Sequence, residues 1–342
     1  MHLPFFSRAS KPLDFLAIGD IVTEPFIRLK DASTHCTIDT DRCEICMRFG
    51  DKIPYDYAVL ATAVGNASNA AVAASRLGLS ASLRAYVGDD RYGPECLEKL
   101  VEEGVDTSLM VTEKGKATNY HYVLWFGSER TILVKHEEFS YTVPKLTHSP
   151  KWLYLSSLAE NSLDYHNAIA ALLEEHPETK LAFQPGTFQM KLGADKIKKL
   201  YERSELFFCN KQEAERILGL TGAQEIRTLA EGLRALGPKI VIITDGREGA
   251  HAFDGDKLLY VPMYPDAREP FERTGAGDSF AATVTCALAL GKPLEEALLW
   301  GPINSMSVVQ EVGAQAGLLS RAKLEEYLKN APENYRIEER AA

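Results

Sequence analysis

The run Arg273-Thr274-Gly275-Ala276-Gly277-Asp278-Ser279-Phe280 combines an anion-binding turn with a proton acceptor. Two glycines around one alanine let the backbone turn tightly and present successive N–H groups. The apolar stretch Phe280 to Leu290 reads as a helix, so those N–H groups fall at a helix N-terminus. Unpaired donors and the positive end of the dipole favour an anion there. A carboxylate at that point, Asp278, repels a phosphate unless it handles a proton. A phosphate-holding turn that carries a general base suits phosphoryl transfer to a hydroxyl. The competing reading of the same residues is a loop closed by an Asp N-cap. No third glycine of a dinucleotide fingerprint and no GxxxxGK[ST] accompanies the run.

Other polar clusters fall where apolar strands give way to helices. Gly65-Asn66-Ala67-Ser68-Asn69 opens a small-residue helix and offers amides to a neutral, hydroxyl-rich ligand, or else caps that helix. Asn210-Lys211-Gln212-Glu213 follows an apolar strand. Asn210 and Glu213 can point the same way and order metal-bound water around Mg²⁺, or close a capping box. Thr244-Asp245-Gly246-Arg247-Glu248-Gly249 is either a β-turn or a backbone that a nucleotide can approach, and Gly313-Ala314-Gln315 reads as the end of a helix.

The elements that must position these residues follow from the apolar pattern. Unalternated strands at Phe15–Ile18, Trp152–Leu155, Lys180–Phe183, Glu205–Phe208 and Ile240–Ile243 are separated by helical spans such as Tyr165 to Glu175 and Gln224 to Leu236. That alternation predicts an α/β, doubly wound, mainly parallel sheet with helices on both faces. Further expected elements are a helix from Ala67 to Leu77, a strand from Ser82 to Val87 and a helix from Gly93 to Glu103. Two stretches differ, alternating like exposed strands: Phe26–Leu29, Cys36–Asp39 and Ile45–Phe49, and later Tyr120–Phe126 and Thr131–Val134 around a Gly127-Ser128 hairpin turn. They read as a small inserted β lid, roughly residues 24–60 and 117–137, on a single domain spanning 1–342.

In 342 residues, 45% apolar and 25% charged, the formal charge of −10 argues against nucleic acid or an anionic membrane as partner. No segment approaches the ~18 apolar residues of a membrane span, and Met1 to Arg8 lacks the long apolar core of a signal peptide. A cytoplasmic protein is expected. Cys36, Cys43 and Cys46 cluster beside His35, but no second ligand pair completes a zinc site. Cys96, Cys209 and Cys286 read as reduced packing residues.

The order of these motifs resembles the ribokinase-like (PfkB-type) carbohydrate kinase family over about residues 14 to 325. Glu272 to Asp278 is similar to that family's D-T-x-G-A-G-D segment, Val64 to Asn69 to its G-G-x-x-x-N, and Asn210 to Glu213 to its N-x-x-E. Val87 to Gly93 matches V-G-D-D-x-x-G, Thr244 to Gly246 the nucleotide-side T-x-G, and Gly313-Ala314-Gln315 a late G-A motif. The resemblance implies an ATP-dependent kinase acting on a hydroxyl of a small sugar or sugar acid. It makes Asp278 the base and Gly275, Ala276 and Gly277 the anion hole. Asn210 and Glu213 become organisers of Mg²⁺ through water, Thr244, Gly246 and Thr274 nucleotide neighbours, and Asp20, Glu24, Gly65, Asn66 and Asn69 the acceptor site. The two β inserts correspond to a lid that closes over the acceptor and often pairs two subunits, so a homodimer is expected. Three positions depart from the pattern. Glu272-Arg273 stands where Asp and a small residue are usual, at a loop that often takes K⁺. Val64 replaces a glycine, and Glu24 an Asp. A nucleoside kinase with Tyr120, Tyr122 and Trp125 as base platform is the alternative acceptor class; a non-catalytic sugar- or nucleotide-binding regulator is the alternative outside enzymes.

Overall fold

Consecutive side chains of Phe15–Ile18 (β1) enter opposite cores: Phe15 and Ala17 pack on one face of the central sheet, Leu16 and Ile18 on the other. Because both faces are covered, the strand shows no polar alternation. In the computed structural model, which describes residues 12–36, 43–222 and 224–340, β1 lies near one end of a nine-stranded sheet. From the far edge the order is β17 (Glu338–Arg340), β16 (Leu258–Val261), β15 (Ala250–Phe253), β14 (Ile240–Thr244), β13 (Ser204–Asn210), β12 (Lys180–Phe183), β11 (Trp152–Leu155), β1 and β6 (Ala81–Arg84). From β14 to β6 every pairing is parallel; β15, β16 and β17 extend the sheet antiparallel. The expected strand Ser82–Val87 is interrupted. β6 stays in the main sheet, while Tyr86–Gly88 (β7) leaves it to pair with Val111–Glu113 (β8), and the Ala85 carbonyl between them accepts from Val111 N.

The two inserts meet in one sheet. Val22–Leu29 (β2), Tyr55–Val64 (β5), Tyr122–Phe126 (β9) and Glu129–Leu133 (β10) stand in the order β10-β9-β2-β5. The hairpin turn falls at Gly127-Ser128 as expected, and the parallel pairing Phe26↔Val123 joins segments far apart in sequence. Phe26, Val123 and Trp125 are fully buried, whereas the outer half of β5 is exposed. Ser33–Cys36 (β3) and Cys43–Cys46 (β4) form a side hairpin in which the register partners Cys36 and Cys43 are disulfide-bonded. The expected strand Ile45–Phe49 therefore begins and ends earlier, at Cys43 and Cys46, because the ladder follows the cysteine pairing. Thr37–Asp39 and Met1–Arg8 lie outside the described residues. Cys96, Cys209 and Cys286 are buried and free, as expected. Among the described residues no helix is long and apolar enough to cross a membrane.

The helix Ala276–Ala289 packs between Asn66–Arg76 and Leu294–Val308. Ala67, Ala70, Ala71 and Ala74 are all buried, and their small side chains let the first two helices approach closely. That approach carries the N-terminus of each to the same end of the sheet.

Candidate active site

The carboxyl ends of the parallel strands converge on one cleft, the usual ligand position in such sheets. Gln184 follows β12, Asn210 ends β13 and Thr244 ends β14, while Gly65-Asn66 follows lid strand β5. Two adjoining cavities, about 350 and 410 Å³, share a wall made of Arg130, Asn210, Thr244, Arg273, Ala276, Gly277 and Phe280. The first is also lined by Glu24, Gly65, Asn66, Asn69, Gln184, Glu213, Thr274, Gly275 and Asp278. The second is lined by Gly246, Gly249, Met263, Pro302 and Val309 among others, a more apolar surface.

Gly275 caps the helix at φ 81°, in the left-handed region where a Cβ is costly. A Cβ there would also stand 2.6 Å from Ala314 Cα. The Gly313-Ala314-Gln315 segment thus backs the turn. It does not end a helix as expected, because the preceding helix stops at Val308. Gly65 carries the second such requirement: φ is 110° and a Cβ would lie 2.9 Å from the Asp20 carbonyl. Its neighbour Val64, which replaces a glycine of the family pattern, is buried and lines neither cavity.

Asp278 sits in the first turn, half-buried, with its carboxylate held by three amides. Asn66 Nδ2 and Gln184 Nε2 donate to Oδ1 at 3.0 and 3.2 Å, and Asn69 Nδ2 donates to Oδ2 at 3.0 Å. The amides are themselves oriented. Gln315 Nε2 donates to Asn69 Oδ1 at 3.1 Å and to the Ala63 carbonyl at 2.7 Å, and Tyr154 OH donates to Gln184 Oε1. Burial pushes the Asp278 carboxyl above the ordinary aspartate range. Bonds from Asn69 and Gln184 and the charge of Arg130 offset part of that rise, while Glu24 adds to it.

Asn210 and Glu213 form a reciprocal capping box: Glu213 N donates to Asn210 Oδ1 at 2.8 Å and Asn210 N to Glu213 Oε2 at 2.9 Å. Both residues still face the first cavity. Burial, aided by the charge of Asp278, also raises the Glu213 carboxyl. Glu24, Glu213 and Asp278 therefore share a cavity whose negative charge is incompletely compensated, an environment that a hard cation with oxygen ligands would relieve. Among the described residues no three His, Cys, Asp or Glu side chains are grouped to hold a metal directly. The fit is thus to an ion carried by phosphate and reached through water.

Asp20 is the expected site residue that the structure does not bring to either cavity. Its Oδ1 accepts from Tyr141 OH at 2.8 Å and its Oδ2 lies 3.1 Å from His136 Nδ1. Glu24 does reach the cavity, with His121 Nδ1 3.2 Å from its Oε1. Sequence reasoning missed Gln184 and Arg130. Gln184 was within reach, since it directly follows a buried parallel strand. Arg130 was not, because only the meeting of the two inserts brings the lid hairpin over the cleft.

A model of the pfkB family of carbohydrate kinases matches residues 34–321. A ribokinase of Bacillus subtilis is 30% identical over 281 residues, covering 77% of this chain and 87% of its own. A nucleoside kinase of Methanothermobacter thermautotrophicus is 25% identical over 74% of this chain and 80% of its own. The crystal structure of a ribokinase from Cryptococcus neoformans var. grubii in complex with ADP superposes with a TM-score of 0.73 at 21% identity, over 92% of this chain and 99% of that one.

Proposed function

Because the chain belongs to the pfkB family of carbohydrate kinases, we propose that it moves the γ-phosphoryl of ATP to a hydroxyl of a small sugar or sugar acid, with Asp278 as general base. It is an ATP-dependent kinase of the sugar and nucleoside class with a ribokinase-like fold; the acceptor and the residue roles are the proposal. One observation carries it. Asp278 stands in the turn that walls both cavities, fixed by three amides in the orientation a base needs.

A carboxylate has about four lone-pair sites. Two on Oδ1 and one on Oδ2 are taken by amides, which leaves Oδ2 with one for an incoming hydroxyl proton. Raised affinity for that proton suits transfer near neutral pH. The amides of Gly275, Ala276 and Gly277 point along the helix axis at the incoming phosphoryl and stabilise its oxygens. Asn69, Asn66 and Glu24 hold the acceptor's hydroxyls, with Gly65 giving the backbone room. Thr274 flanks the phosphates, and Thr244 and Gly246 flank the nucleotide in the second cavity. Asn210 and Glu213 hold the magnesium of MgATP through water; the bound ion supplies positive charge to the phosphate oxygens. In the Glu272 loop, Oε1 accepts from Thr274 N and Oγ1 while Oε2 has no hydrogen-bond partner.

A polar first cavity favours a sugar over a nucleoside. Trp125 is buried within the lid sheet, Tyr120 packs on Tyr92 and Tyr122, and none of the three lines either cavity. The chain is proposed to act as one unit over residues 1–342 and to dimerise through the lid. The exposed Tyr55, Tyr57, Val59 and Leu60 of β5 lie on an unpaired sheet edge there. Measuring ATP consumption against sugars, sugar acids, sugar phosphates and nucleosides tests the acceptor class. Turnover with nucleosides alone would replace the sugar reading, and ATP binding with no acceptor turned over would make the protein a regulator.

A further inference from the structure

The lid hairpin β9–β10 is docked on residues 271–273 by three contacts. Trp125 packs edge-on against Phe271 with centroids 5.0 Å apart, Arg273 Nη1 lies 3.1 Å from Glu129 Oε1, and Arg130 Nε lies 3.9 Å from Glu272 Oε1. Glu129-Arg130 on the lid thus faces Glu272-Arg273 on the phosphate turn in a crossed arrangement of charge. The two members of this arrangement are not equivalent. Arg273 donates a hydrogen bond to Glu129, whereas Arg130 makes no hydrogen bond with another described side chain and stands at a looser distance. Glu272 is fully buried, and its Oε2 has no hydrogen-bond partner. Arg130 borders both cavities and its charge reaches the Asp278 carboxylate.

We propose that Arg130 is a catalytic residue delivered by the lid, whose guanidinium leaves its loose contact with Glu272 to bind the oxygens of the transferring phosphoryl group. Held at this distance without a hydrogen bond, the Arg130 guanidinium keeps its donors for a phosphate, which offers the planar fork two parallel charge-assisted bonds. Three carboxylates facing a triphosphate need a counter-charge, and of the two arginines lining the first cavity Arg273 is already engaged by Glu129. The inference rests on the kinase reading above. In the step, the acceptor O–H gives its proton to Asp278 and a new O–P bond forms. The bond from the γ-phosphorus to the β,γ-bridging oxygen breaks, and its electron pair leaves on ADP. Arg130 neutralises charge on the three non-bridging oxygens throughout. It couples lid closure to chemistry, because the hairpin that covers the acceptor also brings the cation.

The test compares Arg130→Gln, Arg130→Lys and Glu129→Gln in the full chain. Arg130→Gln is expected to lower kcat about 10²–10³-fold with the acceptor KM held within about threefold. Its affinity for the non-hydrolysable analogue AMP-PNP should fall about tenfold or more while ADP affinity stays level. Arg130→Lys, which keeps the charge without the fork, should recover part of both losses and covers the case that the Gln variant does not fold. Glu129→Gln, at an exposed side chain that lines neither cavity, should leave kcat within about threefold. Equal weakening of AMP-PNP and ADP, a loss confined to acceptor KM, an Arg130→Gln enzyme with near wild-type kcat, or a Glu129→Gln loss as large as that of Arg130→Gln would each overturn the assignment. Nucleotide affinities need no acceptor, so a wild-type chain that turns over nothing defeats the kinase reading while the AMP-PNP comparison still decides the role of Arg130.

Discussion

Replacing Asp278 by Asn removes the proposed base while keeping its shape. General-base catalysis contributes roughly 10²–10⁴-fold, so the variant should lose about 3–5 kcal/mol of transition-state stabilisation. The surrounding amides govern what happens to the fold. Asn69 is pinned by Gln315 and Gln184 by Tyr154, so neither can turn its amide to suit a new neighbour. With its oxygen kept toward Asn66 and Gln184, the new side chain turns its NH₂ toward that of Asn69. Such a donor–donor contact costs about 1–3 kcal/mol. Relief of the buried charge works in the opposite direction, since burial is the largest influence on Asp278. The net effect on stability should stay within about 2 kcal/mol, and the variant should fold. Steady-state kinetics, calorimetric ADP binding and a pH profile check the argument together. In the parent enzyme, kcat/KM should fall as pH drops through the raised Asp278 pKa, one decade per unit, and that limb should vanish in the variant. A loss of less than tenfold, or an acid limb that survives, would mean that Asp278 only caps the helix.

Glu213→Gln keeps the capping box, since a Gln oxygen can still accept from Asn210 N, but should raise the Mg²⁺ needed for half-maximal activity about 10-fold or more in a metal titration. Asp278 and Glu213 both have raised folded-state pKa values, so the folded chain binds their protons more tightly than the unfolded one. Their contribution to stability is present at acid pH and is lost as pH rises through the raised values; urea midpoints measured against pH should show a shallower decline in either variant. Gly275→Ala combines a left-handed φ with a close approach to Ala314 and should cost about 2–4 kcal/mol by chemical denaturation. Gly277 meets nothing within 4 Å, so Gly277→Ala should leave stability unchanged or raise it by up to about 1 kcal/mol while lowering kcat, because its methyl faces the phosphoryl site. Sedimentation should find a dimer at micromolar concentration that charged substitutions at Tyr57 and Leu60 dissociate; a monomeric parent chain would refute lid pairing.

Local chemistry by itself determined the glycine turn. Glycine at 275 and an acid at 278 ahead of an apolar helix are dictated by backbone freedom and helix electrostatics, and both are readable along one stretch of chain. The parallel sheet was equally legible, because a strand buried on both faces must be apolar throughout. Asn210–Glu213 was legible only as two alternatives; the structure shows the capping box, which holds Glu213 beside the cavity. Long-range partners were a different matter. Gln315 orients Asn69 across 246 positions and Asn69 meets Asp278 across 209, distances at which no spacing rule operates. The same holds for Asp20, whose Oδ1 accepts from Tyr141 across 121 positions. Arg130 completes the contrast: its own segment reads as an ordinary hairpin. Only the parallel pairing of β2 with β9 swings that hairpin over the turn, where the otherwise unusual Glu272-Arg273 finds its opposite charges.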